Sequence, residues 1–135
     1  MIVLDEQLKG RRRLDTQIGR WYHGPVIFVT ELRPNTVIKD EAIPVLLRQA
    51  NLPTFITINE TDFWRKFPAD ERFCLICFAL SDAKADEIPQ RLRQLLQMPE
   101  FASKANRMGK VIRVTNHQIT FYTTGSRQLI TIQGE

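Results

Sequence analysis

The sequence predicts an α/β fold, with a mostly parallel central sheet, helices on both faces and a small antiparallel element at the C-terminal end. Three observations predict it. Over the first two-thirds of the chain, the apolar runs Ile2-Val3-Leu4, Val26 to Thr30, Thr54 to Ile58 and Phe73 to Leu80 alternate with segments of helical spacing. That alternation builds parallel sheets whose strands are covered on both sides. Over the last third, Lys110 to Thr115, Gln118 to Thr123 and Gln128 to Ile132 alternate more like exposed strands. A length of 135 residues, 43% hydrophobic and 25% charged, suits one domain over residues 1–135.

Taken in order, Ile2 to Leu4 is a short apolar strand. From about Gln7 to Trp21, Leu8, Leu14, Ile18 and Trp21 recur at loosely helical spacing, with Gly10 and Gly19 as weak points. His23-Gly24-Pro25 breaks the pattern before the second strand, Val26 to Thr30. Leu32 to Lys39 is a loop. Asp40 opens a helix to about Gln49 with Ile43, Leu46 and Leu47 on its apolar side, and Pro44 falls early enough to be tolerated. Asn51-Leu52-Pro53 ends it, and Thr54 to Ile58 is the third strand. Asn59 to Asp62 is an exit loop or the cap of a short helix carrying Phe63 and Trp64. After the turn Pro68-Ala69-Asp70 comes the fourth strand, Phe73 to Leu80. Ser81 and Asp82 can cap a helix with Ile88, Leu92, Leu95 and Leu96 on one face, interrupted at Pro99. A second short helix reaches about Arg107. Asn116-His117 and Thr124-Gly125-Ser126 are the turns of the tail.

Several function classes are excluded or disfavoured. No apolar run is long enough to cross a bilayer, so no membrane partner is expected. Met1 leads almost directly into a strand, without the basic region and apolar segment of a secretory signal, which places the protein in the cytoplasm. There is no G-x-S-x-G, no H-E-x-x-H and no G-x-x-x-x-G-K-[ST]. Histidine-based catalysis would rest on His23 or His117, both in turns. Cys74 and Cys77 form a C-x-x-C, but zinc needs four ligands. Residues three apart on a strand point to opposite faces, so both thiols read as core side chains.

The acidic residues recur after strand or loop units: Asp5-Glu6 after the first strand, Asp40-Glu41 at the helix start, Glu60 and Asp62 after the third strand. Residues just past the carboxyl ends of parallel strands converge on one crevice. Carboxylates gathered there can hold a hard cation such as Mg²⁺ or Mn²⁺. Each has a structural alternative: Asp5 and Asp40 as helix N-caps, Glu41 as a helix-dipole partner, Asp62 as the cap of the turn before Trp64. The net charge of +4 mildly favours a polyanionic partner. Arg11, Arg12 and Arg13, beside Lys9, follow the first acidic pair, and Arg65 and Lys66 follow the third group. Basic residues near an acidic site would suit a phosphate backbone; the alternative is a solvated face.

Four stretches resemble the PIN-like proteins, most closely the small bacterial group found beside antitoxin genes. They are Val3-Leu-Asp-Glu-Gln-Leu8, Thr30 to Ile43 ending Lys39-Asp-Glu-Ala-Ile43, Thr54 to Phe63 ending Asn59-Glu-Thr-Asp-Phe63, and Gly109-Lys-Val-Ile-Arg-Val114 with its hairpin. The resemblance spans nearly the whole chain. It implies a three-layer α/β/α fold and a metal-dependent ribonuclease, the toxin of a toxin–antitoxin pair, with an antitoxin protein as partner and a homodimer as assembly. Asp5, Asp40 and Asp62 match the family's acidic positions as metal ligands. Glu60 completes the catalytic set where the pattern usually has Asp. The polar residue ending the third strand is Thr57, one place early, or is replaced by Ile58. Glu31 is the candidate for the additional acid of longer relatives. Glu6 and Glu41 read as supporting groups, and Arg11, Arg12, Arg13, Arg65 and Lys66 as guides for the RNA, with Trp64 or Tyr22 available to stack on a base.

The alternative is a non-catalytic, degenerate PIN-like module that binds RNA or protein. A flavodoxin-like phosphoacceptor would want an Asp closing the third strand and a downstream Lys, whereas the strand ends Ile56-Thr57-Ile58-Asn59.

Overall fold

A computed structural model describes residues 1–10 and 13–133, with side chains through residue 132. They form β1 (Ile2–Leu4), α1 (Leu14–Gly19), β2 (Val26–Phe28), α2 (Ile43–Gln49), β3 (Thr54–Thr57), α3 (Glu60–Phe63), β4 (Cys74–Phe78), α4 (Ile88–Leu95), α5 (Lys104–Arg107), β5 (Lys110–Val114), β6 (Gln118–Thr123) and β7 (Ile130–Gln133). The seven strands make one sheet in the order β2-β1-β3-β4-β5-β6-β7. β2, β1, β3, β4 and β5 are parallel, and β6 and β7 extend the sheet antiparallel. The fold is therefore α/β with a mostly parallel sheet and an antiparallel C-terminal element, as the sequence predicts.

Period-2 alternation splits the strand side chains between the two faces. Ile2, Leu4, Ile56, Ile76 and Ile112 face one apolar cluster, with Leu14 and Ile18 of α1 and Ile88, Leu92 and Leu95 of α4. Val3, Phe55, Leu75 and Val111 face the other, with Ile43, Leu46 and Leu47 of α2 and Phe63 of α3. Cys74 belongs to the first cluster and Cys77 to the second, which confirms the opposite-face reading. Burial pushes both thiols up to about 12. A disulfide exchange reagent at neutral pH is therefore expected to label neither cysteine until the protein unfolds, and labelling at the rate of a free thiol would contradict this packing.

The strands mostly end a residue or two inside their expected bounds, and three elements change character. The helical span from Gln7 to Trp21 is broken into a 3₁₀ turn, Glu6–Leu8, and the six-residue α1. Gly10 at φ +80° and Arg13 at φ +50° carry the chain between them in left-handed backbone that no helix contains. The second strand stops at Phe28, because the Glu31 carboxylate accepts the Phe28 N–H at 2.7 Å and closes a 3₁₀ turn over Val29–Glu31. Asp40–Ala42 is a 3₁₀ turn before α2, with Lys39 rather than Asp40 at the cap position.

The strand order directs the rest. The chain passes from β1 to β2 on one side, then crosses to β3 on the other side of β1. The loops leaving β1 and β3 thus separate at a topological switch point, the usual place for a ligand crevice in such sheets.

Candidate functional site

Asp5 is the residue after β1. Its own N–H continues the ladder, donating to the Ile56 carbonyl at 2.9 Å. Asp5 as a whole is 8% exposed, and its carboxylate accepts a 2.6 Å hydrogen bond from the Thr57 hydroxyl. Thr57 closes β3 and in turn accepts the Asn59 N–H at 2.9 Å. Of the two possible polar positions at this strand end, Thr57 is the one that reaches the acid. Asp5 makes no side-chain cap for the following turn, so its structural alternative does not account for it. Burial raises its pKa, opposed by the Thr57 bond and the Glu6 backbone and reinforced by the charges of Asp40 and Glu6.

Asp40 approaches this edge from the turn that precedes α2. Its pKa is also raised, by desolvation first and then by the charge of Asp62 and a hydrogen bond with it. Asp62 lies in α3, where Asn59 holds it twice: the Asn59 side chain accepts the Asp62 N–H at 3.2 Å and donates to its carboxylate at 2.8 Å. Asn59, not Asp62, is therefore the cap. Asp40 thus stands in electrostatic reach of both Asp5 and Asp62, which follow β1 and β3.

Glu60 has another partner. It accepts a hydrogen bond from the Arg113 guanidinium at the end of β5, and the two form a partly exposed ion pair. Arg113 was not anticipated. Its signal is a cation between the apolar residues Ile112 and Val114, near the end of a strand that runs parallel to β4 toward this edge. Glu31 is engaged by the Phe28 backbone, outside the group of three aspartates.

The basic residues divide. Lys9 donates to Thr30 at 3.3 Å, linking the loops after β1 and β2. Arg13 is exposed at the start of α1. Arg65 turns away from the acids: it donates to the Arg127 carbonyl at 3.0 Å and lies 5.1 Å over the Tyr122 ring. Lys66 lines the same depression beside Tyr122 and Arg127. Arg11 and Arg12 lie outside the described residues. Trp64 packs on Tyr122, with ring centroids 5.4 Å apart, while Tyr22 belongs to the opposite edge of the sheet.

The donor set at the crevice is oxygen only, which suits a hard divalent cation. Among the described residues, no three His, Cys, Asp or Glu side chains gather closely enough to hold a metal by themselves. Mg²⁺ seldom uses such a cage; one or two carboxylates, waters and substrate phosphates are its ordinary ligands. Asp5, Asp40 and Asp62 offer carboxylates of that kind. No helix among the described residues is long and apolar enough to cross a membrane. No family model, no curated protein and no solved structure matches the chain.

Proposed function

We propose that the protein is a metal-dependent ribonuclease of PIN-like, three-layer α/β/α architecture, acting at the Asp5–Asp40–Asp62 crevice. The observation that carries this reading is the placement of Asp5 and Asp40 at the switch-point edge, where burial and, to a lesser degree, a neighbouring aspartate disfavour their charge. Asp5 and Asp40 are both harder to ionise than ordinary carboxylates, and each feels another aspartate. A protein gains nothing in stability from such an arrangement; it is a cost that a bound cation removes. Asp5 and Asp40 would hold the ion directly, and Asp62 directly or through water. When bound, Mg²⁺ or Mn²⁺ supplies a water of lowered pKa and neutralises charge on the phosphate.

The chain's own contribution is positioning. Thr57 orients Asp5, and Asn59 orients Asp62. Lys9 and Arg13, on the loop between β1 and α1, would draw in the phosphate backbone. Arg113 neutralises Glu60 and so limits the negative charge facing an RNA strand. The toxin role, an antitoxin partner and a homodimer accompany this reading through the family resemblance, and a cytoplasmic location is proposed with it.

A second reading, a binding module without catalysis, draws on the Glu60–Arg113 pair, which occupies the fourth acid. The two readings separate in a Mn²⁺ titration followed by cleavage of a mixed RNA pool. Asp62→Asn is expected to weaken Mn²⁺ at least tenfold, whereas Glu60→Gln changes it about twofold or less, because its charge is already matched. Well-folded wild-type protein that binds no Mn²⁺ would sink the nuclease reading. RNA affinity that survives Asp5→Asn but falls when Arg11, Arg12 and Arg13 become Ala would establish the module instead.

A further inference from the structure

The amino edge of the sheet, opposite the acidic crevice, carries a second and unrelated feature. Trp21, Tyr22, His23, Leu96, Ala102 and Arg107 wall a cavity of about 410 Å³, within the range that small-molecule sites occupy. Arg107 ends α5 and is only 5% exposed. Its Nε donates to the Thr54 hydroxyl at 3.2 Å, and its Nη1 to the carbonyls of Phe101 and Ala102 at 2.9 and 3.0 Å. All three acceptors are neutral. Among the described residues, no carboxylate lies within ion-pair distance of it.

The third nitrogen, Nη2, has no hydrogen-bond partner among the described residues. Yet no buried side-chain nitrogen or oxygen among the described residues lacks a hydrogen bond. Nη2 is therefore not sealed from solvent, and Arg107 is one of the residues that line the cavity. A guanidinium buried without a counter-charge is expensive, and it marks a place where an anion can be taken up. The neighbouring cavity, about 580 Å³, shares Trp21 and His23 and adds Arg20 and Arg93. Arg93 lies 5.9 Å over the Trp21 ring. No acidic side chain lines either cavity among the described residues.

We propose that this cavity binds a terminal nucleotide of a single-stranded nucleic acid, with Arg107 Nη2 taking a phosphate oxygen and Trp21 and Tyr22 offering aromatic walls to the base. Guanidinium for phosphate and aromatic rings for bases are the two elements that single-strand binding requires. Arg20 and Arg93 continue the positive charge beyond the cavity, as a strand's further phosphates would need. A free mononucleotide presents the same chemistry to Arg107, but not to the adjacent arginines. The site is independent of the aspartates and does not require that the crevice be catalytic.

The test uses the full chain carrying Trp64→Phe, so that Trp21 is the remaining tryptophan and its fluorescence reports on the cavity. The probes are adenosine, AMP, and a hexauridylate with and without a terminal phosphate. AMP is expected to quench Trp21 saturably and to bind at least about tenfold more tightly than adenosine, through the charge-assisted bond. The phosphorylated hexamer is expected to bind more tightly than AMP; AMP as the tighter ligand would overturn the assignment to a strand. Equal affinity for AMP and adenosine, or no saturable response to any probe, would overturn the phosphate site. Ala102→Glu sets a carboxylate at the cavity mouth from an exposed position that the fold does not need. It is expected to abolish AMP and hexamer binding while raising the melting temperature. Unchanged binding in this variant would also overturn the proposal.

Discussion

Asp5→Asn is expected to remove Mn²⁺ binding, to lower metal-dependent RNA cleavage by about 100-fold or more, and to raise the stability of the metal-free protein. The first two effects follow from the proposed site. The third follows from burial. Asn preserves the shape of Asp5 and can still accept the Thr57 hydroxyl, which donates to the carboxylate at 2.6 Å. It deletes a charge that burial, Asp40 and Glu6 all disfavour. The sign in pH follows. Asp5 has a folded pKa above its unfolded value, so its contribution to stability is complete below the unfolded pKa and is lost as pH rises through the folded one. Asp40 acts in the same direction. Without metal, the wild-type melting temperature should therefore decline just above the ordinary carboxylate range, and Asp5→Asn should decline less. Adding Mn²⁺ should restore the wild type and leave the variant unmoved. Thermal melts with and without chelator, from about pH 3 to pH 8, measure all of this. A variant less stable than wild type throughout would show that Asp5 serves the fold rather than a ligand.

The largest loss of stability is expected from Phe63→Ala, about 3–5 kcal/mol. Phe63 is 1% exposed and anchors α3. Its ring meets Phe55 at 5.7 Å between centroids and Phe67 at 5.3 Å. Phe67 in turn meets Phe73 at 5.6 Å. A four-residue helix cannot support itself, because its few hydrogen bonds do not offset the nucleation entropy. The phenyl ring is what fixes α3 on the sheet, and Asp62 is placed by it. Denaturant unfolding gives the stability, and a Mn²⁺ titration under folding conditions gives the consequence for the site. Phe63→Leu keeps much of the buried volume and is expected to cost less and to retain metal affinity. If Phe63→Ala binds Mn²⁺ like wild type, the position of Asp62 does not depend on this packing.

The elements most legible in the sequence were those whose signal is local. Each of the seven strands was readable, because burial on both faces demands continuous apolar runs in the parallel part. The break between the thiols' faces was readable from strand period alone. The helix from Gln7 to Trp21 was overread, since the positive φ at Gly10 and Arg13 leaves no trace in apolar spacing. The second strand was overextended for a similar reason: Glu31 bonding back to Phe28 is a side-chain choice that β-branched composition does not reveal.

The sequence by itself determined the α/β class, the apolar strands, and the recurrence of acids just after them. It did so because secondary structure and burial follow from the order of residues. Tertiary structure alone decided which polar groups face one another. It joined Thr57 to Asp5, Arg113 to Glu60 and Asp62 to Asp40. It also turned Arg65 away toward Tyr122 and buried Arg107 without a counter-charge. These are contacts between distant segments, set by strand order and register, and the sign of a charge along the chain says nothing about which partner it will meet in space.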